Sequence, residues 1–183
     1  MERLILVNEN DEEIGSGEKL EVHREGQLHR AFSIFIFDSA GRLLLQKRSE
    51  TKYHSGGLWT NTCCGHPRPG ETVEAAAHRR LQEEMNFDCE LQACAHFIYR
   101  AEVGSGLTEW EYDHVFAGVY DEDPQPNEAE AADWQWADLD ELKTRLAESP
   151  GNFTYWFRLV MSKFDLAAFG QQARLPVLHW RNQ

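Results

Sequence analysis

The pattern of hydrophobic and polar positions predicts several short strands along the chain. Apolar runs at 4–8 and 32–37 are typical of β-strands. The second run is followed at 38–41 by Asp-Ser-Ala-Gly, which favours a turn, and then by another apolar run at 42–47. These segments predict a β-hairpin. Further strands are expected at 96–101 and 109–119, and a polar, proline-containing loop is expected at 121–127.

Helices are predicted between and after these strands. The segment 72–85 is rich in Ala, Glu and Arg and contains neither Gly nor Pro, so it favours a helix with Thr72 as its N-cap. Two more helices are expected near 138–148 and 153–169. Strands and helices are mixed without strict alternation. The pattern therefore predicts one α/β domain over residues 1–183, with a mixed, partly antiparallel sheet packed between helices.

Composition supports a globular protein with reduced thiols. The 183 residues are 42% hydrophobic, enough for one well-buried domain. The four cysteines (63, 64, 89 and 94) form no C-x-x-C pair, which favours free thiols. No apolar run is long enough to span a bilayer, and we recognise no signal peptide. We therefore expect a cytoplasmic protein.

The charge restricts the partners that the protein can have. A formal net charge of −13 argues against binding to nucleic acid or to an anionic membrane. The same charge would repel an anionic small molecule. A phosphorylated substrate therefore requires a local cluster of cationic side chains.

A loop and helix at about 65–87 carry a spaced pattern of carboxylates. The segment resembles the Nudix box, G-x5-E-x7-R-E-U-x-E-E-x-G-U, where U is a bulky apolar residue. The matching positions are Gly65, Glu71, Arg79, Leu81, Glu83, Glu84 and Phe87. Two positions depart from the box, because Arg80 replaces an acid and Asn86 replaces a glycine. The resemblance implies a Nudix-like fold whose carboxylates bind a divalent cation on a diphosphate.

A second motif precedes the box. Residues 60–67 resemble the T-N-x-x-C-G-H-P signature of type I isopentenyl-diphosphate isomerases, with Cys64 rather than Cys63 at the catalytic position. Other elements of that family follow the same order along the chain, so the resemblance extends from about residue 19 to 156. These elements are Lys19, His23, the run 28–33 containing His29, the run 99–101 beginning with Tyr99, and the run 109–111 with Glu109 and Glu111.

The resemblance implies a metal site of nitrogen and oxygen ligands. Glu109 and Glu111 are two apart on a predicted strand, so their side chains leave the same face. The implied ligands are His23, His29, His66, Glu109 and Glu111. Such a donor set suits Mg²⁺, Mn²⁺ or Zn²⁺ without choosing among them. Glu84 matches the position that holds a second cation, Mg²⁺, together with the diphosphate.

The resemblance also implies the groups that act on the substrate. Moving a double bond requires one proton to be added and another removed, so two acid–base groups must flank the substrate. Cys64 is implied on one side and Glu111 on the other, with Tyr99 assisting. Trp156 matches an aromatic position that stabilises a tertiary carbocation by cation–π attraction. The cations implied for diphosphate binding are Lys19, Arg48, Lys52 and Arg79.

The functional prediction is an isomerase of isoprenoid biosynthesis that interconverts isopentenyl and dimethylallyl diphosphate, acting as a monomer. A Nudix diphosphate hydrolase is the first alternative, and Arg80 and the Cys-Gly-His run argue against it. A non-enzymatic acidic binding module is the second alternative, and it leaves the Cys, His and Glu residues unexplained.

Overall fold

The structure, a computed structural model, describes residues 2–175. Its strands are β1 (Arg3–Val7), β2 (Glu13–Glu18), β3 (His29–Phe37), β4 (Leu43–Arg48), β5 (Trp59–Thr60), β6 (Cys63–Gly65), β7 (Leu91–Gly104), β8 (Leu107–Val119) and β9 (Ala131–Ala137). Its α-helices are α1 (Lys19–Glu25), α2 (Val73–Met85), α3 (Leu139–Glu148), α4 (Tyr155–Lys163) and α5 (Leu166–Gln172), with a 3₁₀ turn at Pro150–Asn152.

Strand β3 is the centre of a mixed sheet. It pairs antiparallel with β1, β4 and β6 and parallel with β8, where the register runs from His29 opposite Glu111 to Phe37 opposite Val119. Strand β8 forms a long antiparallel hairpin with β7. This arrangement confirms the predicted mixed sheet.

Helices cover both faces of the sheet because side chains alternate along β3. Phe35 and Phe37 pack with buried residues of α3, α4 and α5, including Phe157. Ile34 and Ile36 point to the other face, where the buried side of α2 covers them. The predicted sheet between helices is therefore confirmed. No helix within residues 2–175 is long and apolar enough to cross a membrane.

Helix α2 begins where the sequence predicted. The Thr72 hydroxyl accepts a hydrogen bond from the backbone N–H of Ala75 at 3.1 Å, which confirms the N-cap. The single helix predicted at 153–169 is wrong, because the chain contains two helices there. Phe164 has extended backbone angles, and the Asp165 side chain then caps α5 by accepting from the N–H of Ala167.

Candidate active site

A cavity of about 210 Å³ lies where β3, β4, β6 and β8 meet α2 and α4. Strand ends and short loops supply its walls, so side chains distant in sequence face one space. The structure brings the following predicted residues to its lining: Lys19, Arg48, Lys52, Cys64, His66, Glu84, Tyr99, Glu109, Glu111 and Trp156. His23 and His29 adjoin this lining and belong to the histidine cluster beside it.

Four predicted metal ligands form a compact cluster in this structure. One donor atom from each of His23, His29, His66 and Glu111 lies within 4.8 Å of the others. They come from α1, the start of β3, the residue after β6, and β8. His66 Nε2 lies 3.1 Å from Glu111 Oε1, and His29 Nε2 lies 3.4 Å from the same oxygen.

The backbone orients two of these rings towards the cluster. His23 Nδ1 is 2.7 Å from the Lys19 carbonyl oxygen, and His29 Nδ1 is 2.9 Å from that of Gln27. Their Nε2 atoms are buried and have no hydrogen-bond partner among residues 2–175. A ligating histidine typically donates the N–H of its other ring nitrogen to a carbonyl oxygen in this way. The donors present therefore fit a divalent cation.

Burial also favours the ligating form of the histidines. It lowers the pKa of His23, with the neighbouring His29 as the next cause, and it lowers the pKa of His66 to about 4. Both rings are therefore neutral near pH 7, which is the form that binds a metal.

Glu109 lies beside the four-residue cluster, not within it. The Tyr99 hydroxyl lies 3.0 Å from Glu109 Oε2 and 2.7 Å from Glu111 Oε2, so it can donate to one carboxylate at a time. His54 Nε2 is 3.3 Å from Glu109 Oε1. The structure thus assembles four of the five predicted ligands. It also places His54, which carried no recognisable motif in the sequence, beside Glu109.

The two carboxylates differ in their affinity for a proton. Burial and the charge of Glu111 raise the pKa of Glu109. Burial acts in the same direction on Glu111, but the adjacent rings of His29 and His66 outweigh it and lower the pKa of Glu111. Burial also raises the pKa of Tyr99, so its hydroxyl is a proton-bearing donor near neutral pH.

Cys64 is surrounded by polar groups on the same cavity wall. Its thiol donates to Asn61 Oδ1 at 3.2 Å, and Trp156 Nε1 donates to its sulfur at 3.2 Å. Burial raises the pKa of Cys64 to about 12. The Arg48 guanidinium lies over the Trp156 ring, 5.2 Å from its centroid. A thiol, an aromatic face and a cation are therefore adjacent.

The rest of the cavity is lined by cationic side chains that are paired with carboxylates. Lys52 and Arg80 both form ion pairs with Glu130, and Arg80 also contacts Glu84. Glu84 is 3% exposed, and its Oε2 accepts from Gln46 at 2.8 Å. The lining thus gathers four cations beside five glutamates.

Arg79 does not line the cavity, and its role in diphosphate binding stays a prediction. Its Nε and one terminal nitrogen donate to the two oxygens of Glu71, each at 2.8 Å, and Glu83 adds a contact at 3.2 Å. Consecutive residues of a helix point about 100° apart, so Arg80 faces the cavity instead. The sequence carried one signal for Arg80, since this arginine stands where the Nudix box has an acid.

Comparison with known proteins first places the chain in a broad class. A family model described as the NUDIX domain matches residues 27–157, so this is a Nudix protein. A Deinococcus radiodurans crystal structure has a TM-score of 0.69 at 25% identity, covering 95% of this chain and 100% of that one. A MutT Nudix hydrolase from Burkholderia pseudomallei, with a TM-score of 0.61 at 21% identity, covers 76% and 99% and supports the fold alone.

Sequence relatives then narrow the class. The chain is 53% identical over 174 residues to isopentenyl-diphosphate Delta-isomerase 2 of Photorhabdus laumondii, covering 95% of this chain and 98% of the relative. It is 52% identical to the isopentenyl-diphosphate Delta-isomerase of Serratia proteamaculans, with coverage of 95% and 97%. The chain therefore belongs to the isopentenyl-diphosphate Delta-isomerase family.

Proposed function

We propose that this protein interconverts isopentenyl diphosphate and dimethylallyl diphosphate. The observation that carries the proposal is a single cavity lined by the Cys64 thiol, the hydrogen-bonded Tyr99 and Glu111, and several cations. Family membership supports the same reaction. A cavity with two separate acid–base groups is what a double-bond shift by protonation and deprotonation requires.

In the proposed reaction, a proton from the Glu111–Tyr99 pair adds to the terminal methylene carbon. The alkene π electrons form the new C–H bond and leave a tertiary carbocation. Cys64, as a thiolate, then takes a proton from the neighbouring carbon, and that C–H electron pair becomes the new double bond. No electrons are gained or lost overall, so the reaction needs no redox cofactor.

The surroundings of Cys64 support its role as the proton acceptor. Burial opposes the thiolate, but the Trp156 N–H and the charge of Arg48 favour it. The Trp156 ring lines the cavity, and we propose that its face stabilises the carbocation. Such an attraction contributes about 2 kcal/mol when the cation is desolvated.

We propose that Lys19, Arg48 and Lys52 bind the diphosphate. Arg80 joins them in place of Arg79, because Arg80 lines the cavity and Arg79 is held by Glu71. Arginine and lysine donate charge-assisted hydrogen bonds to phosphate oxygens.

We propose that His23, His29, His66 and Glu111 hold a divalent cation, for which Mg²⁺, Mn²⁺ and Zn²⁺ all suit the nitrogen and oxygen donors. Glu84 is proposed to hold Mg²⁺ with the diphosphate. A cation in the histidine cluster would supply positive charge beside Glu111, which makes that carboxyl a stronger acid when it is protonated.

The hydrolase alternative is less well supported. Arg80 introduces a positive charge where the Nudix box has an acid, and it contacts both Glu83 and Glu84. Fewer carboxylates are then free to assemble a multi-metal site for diphosphate cleavage.

The proposal is tested by proton NMR of the protein with isopentenyl diphosphate and Mg²⁺ in D₂O, alongside a phosphate-release assay. Cys64→Ala is compared with Cys63→Ala, because the adjacent Cys63 is a fully buried core thiol. Deuterated dimethylallyl diphosphate from the wild type and Cys63→Ala, but not from Cys64→Ala, supports the proposal. Phosphate release without a double-bond shift would favour the hydrolase.

The metal proposal is tested by chelation. Treatment with EDTA should abolish isomerisation, and readdition of Mg²⁺, Mn²⁺ or Zn²⁺ singly should show which ion restores it. Added metal should also stabilise the stripped protein by about 2.7 kcal/mol at 100 times the Kd, and this stabilisation should raise its Tm. The same Tm shift in His23→Ala would contradict binding at the histidine cluster. The monomeric state and cytoplasmic location stay predictions.

A further inference from the structure

Two buried polar residues lie behind Cys64 and have no role in the chemistry above. Ser33 on β3 is the register partner of Cys64 on β6. Its hydroxyl donates to Asp113 Oδ2 at 2.8 Å, and its Oγ lies 3.8 Å from Cys64 Sγ. Ser33 is 2% exposed and Asp113 is 1% exposed. A buried hydroxyl therefore bridges the reactive sulfur and a buried carboxyl.

Among residues 2–175, the Asp113 carboxyl forms a hydrogen bond with the Ser33 hydroxyl alone. Asp113 Oδ1 is buried and has no hydrogen-bond partner among residues 2–175. By accepting from the Ser33 hydroxyl, the carboxyl fixes Ser33 Oγ in the place where it faces the Cys64 sulfur.

The sulfur then has three fixed polar neighbours. Asn61 accepts from it, Trp156 donates to it, and Ser33 approaches it from β3. A cysteine side chain has a single rotatable bond between Cα and sulfur, so such neighbours determine where the sulfur points. Proton transfer depends steeply on the position of the acceptor relative to the reacting carbon.

We propose that Ser33, held in place by Asp113, is a positioning residue that orients the Cys64 sulfur for proton transfer. This inference rests on the proposed isomerase activity, because the direction of the sulfur matters only if the sulfur exchanges protons with the substrate.

The test compares Ser33→Ala, Asp113→Ala and Asp113→Asn with the wild type, measuring kcat and KM for isopentenyl diphosphate with Mg²⁺. Asparagine has nearly the shape of aspartic acid, and its amide oxygen can accept from the Ser33 hydroxyl as the carboxyl does. Ser162→Ala is the matched control, since the Ser162 hydroxyl bonds only a backbone carbonyl on the exposed side of α4. Thermal unfolding of each variant shows that it is folded at the assay temperature.

We expect Ser33→Ala and Asp113→Ala to lower kcat about 10- to 100-fold while KM changes less than about threefold, because misplacing a reacting atom by about 1 Å can cost about 100-fold in rate. Asp113→Asn should keep kcat within about threefold of the wild type. If Asp113→Ala does not fold, Ser33→Ala and Asp113→Asn still decide the outcome.

Folded Ser33→Ala with wild-type kcat would overturn the inference. So would Asp113→Asn with a loss of kcat as large as that of Asp113→Ala, because a carboxylate charge would then be the required feature. These results differ from failure of the proposed function, in which the wild-type protein itself would produce no dimethylallyl diphosphate.

Discussion

Replacing Arg79 with alanine should reduce stability much more than it reduces substrate binding. Its guanidinium donates two 2.8 Å hydrogen bonds to Glu71, and its side chain is only 20% exposed. Hydrogen bonds to charged groups contribute roughly 1.5–3 kcal/mol each, and two that act as a unit are less than additive. We therefore expect a loss of about 2–4 kcal/mol, which corresponds to a Tm lower by about 4–16 °C for a chain of this size.

The assay combines thermal unfolding by circular dichroism with steady-state kinetics below the unfolding range. Arg79→Ala should change KM for the diphosphate less than about threefold. Arg80→Ala, which removes a cation from the cavity wall, should raise KM about tenfold or more. Arg24→Ala, on the exposed side of α1, is the control for loss of a positive charge.

The pH dependence gives a second check on the same ion pair. The hydrogen bonds from Arg79 lower the pKa of Glu71 to about 2, against an ordinary value of 4.5. The pair therefore stabilises the folded state fully above pH 4.5, and its contribution is lost as the pH falls towards 2. The Tm difference between the wild type and Arg79→Ala should shrink over that range. A Tm loss below 2 °C together with a tenfold rise in KM would refute this account of Arg79.

Substitutions at three further residues are tested by urea denaturation. Gly118→Ala should cost about 1–3 kcal/mol, since its Cβ would lie 2.8 Å from Cys89 Sγ and from the Glu90 carbonyl oxygen; unchanged stability would contradict these contacts. Thr72→Ala should cost about 1 kcal/mol by removing the α2 cap, and Thr72→Ser should retain most of it, so equal losses would argue against the cap. Phe157→Ala should cost about 3–5 kcal/mol because the ring is fully buried, and a cost below 1 kcal/mol would exclude it from the core.

The sequence predicted best where a motif determines both the fold and the site. The carboxylate-rich helix was found with its cap because helix propensity and the Nudix-box spacing agree over 72–85. Cys64 and His66 were found because they share one short linear motif. Strands β2, β5, β6 and β9 were not predicted. Strand β2 is a polar edge strand, β5 and β6 contain only two and three residues, and polar residues interrupt the apolar positions of β9.

Tertiary contacts account for the site residues that the sequence did not reveal. His54 lies in a loop without periodicity, and its role depends on the approach of Glu109 from β8. Ser33 and Asp113 are 80 positions apart and meet only because β3 and β8 pair. The family pattern matched Arg79, whereas Arg80 lines the cavity. Which of two neighbouring helical residues faces a cavity depends on the orientation of the helix, and the pattern alone does not give that orientation. Such contacts become predictable only after strand order and helix orientation are known.

The parallel pairing of β3 with β8 has a consequence for folding during synthesis. His29 pairs with Glu111, so the ribosome must add 82 residues after His29 before its partner on β8 has been synthesised. At about 5–20 residues per second, that interval lasts roughly 4–16 s. During it, the apolar strand that ends in Phe35, Ile36 and Phe37 lacks its longest neighbour, and the chain is open to aggregation. We expect nascent chains shorter than about 120 residues to depend on chaperones far more than the finished protein does.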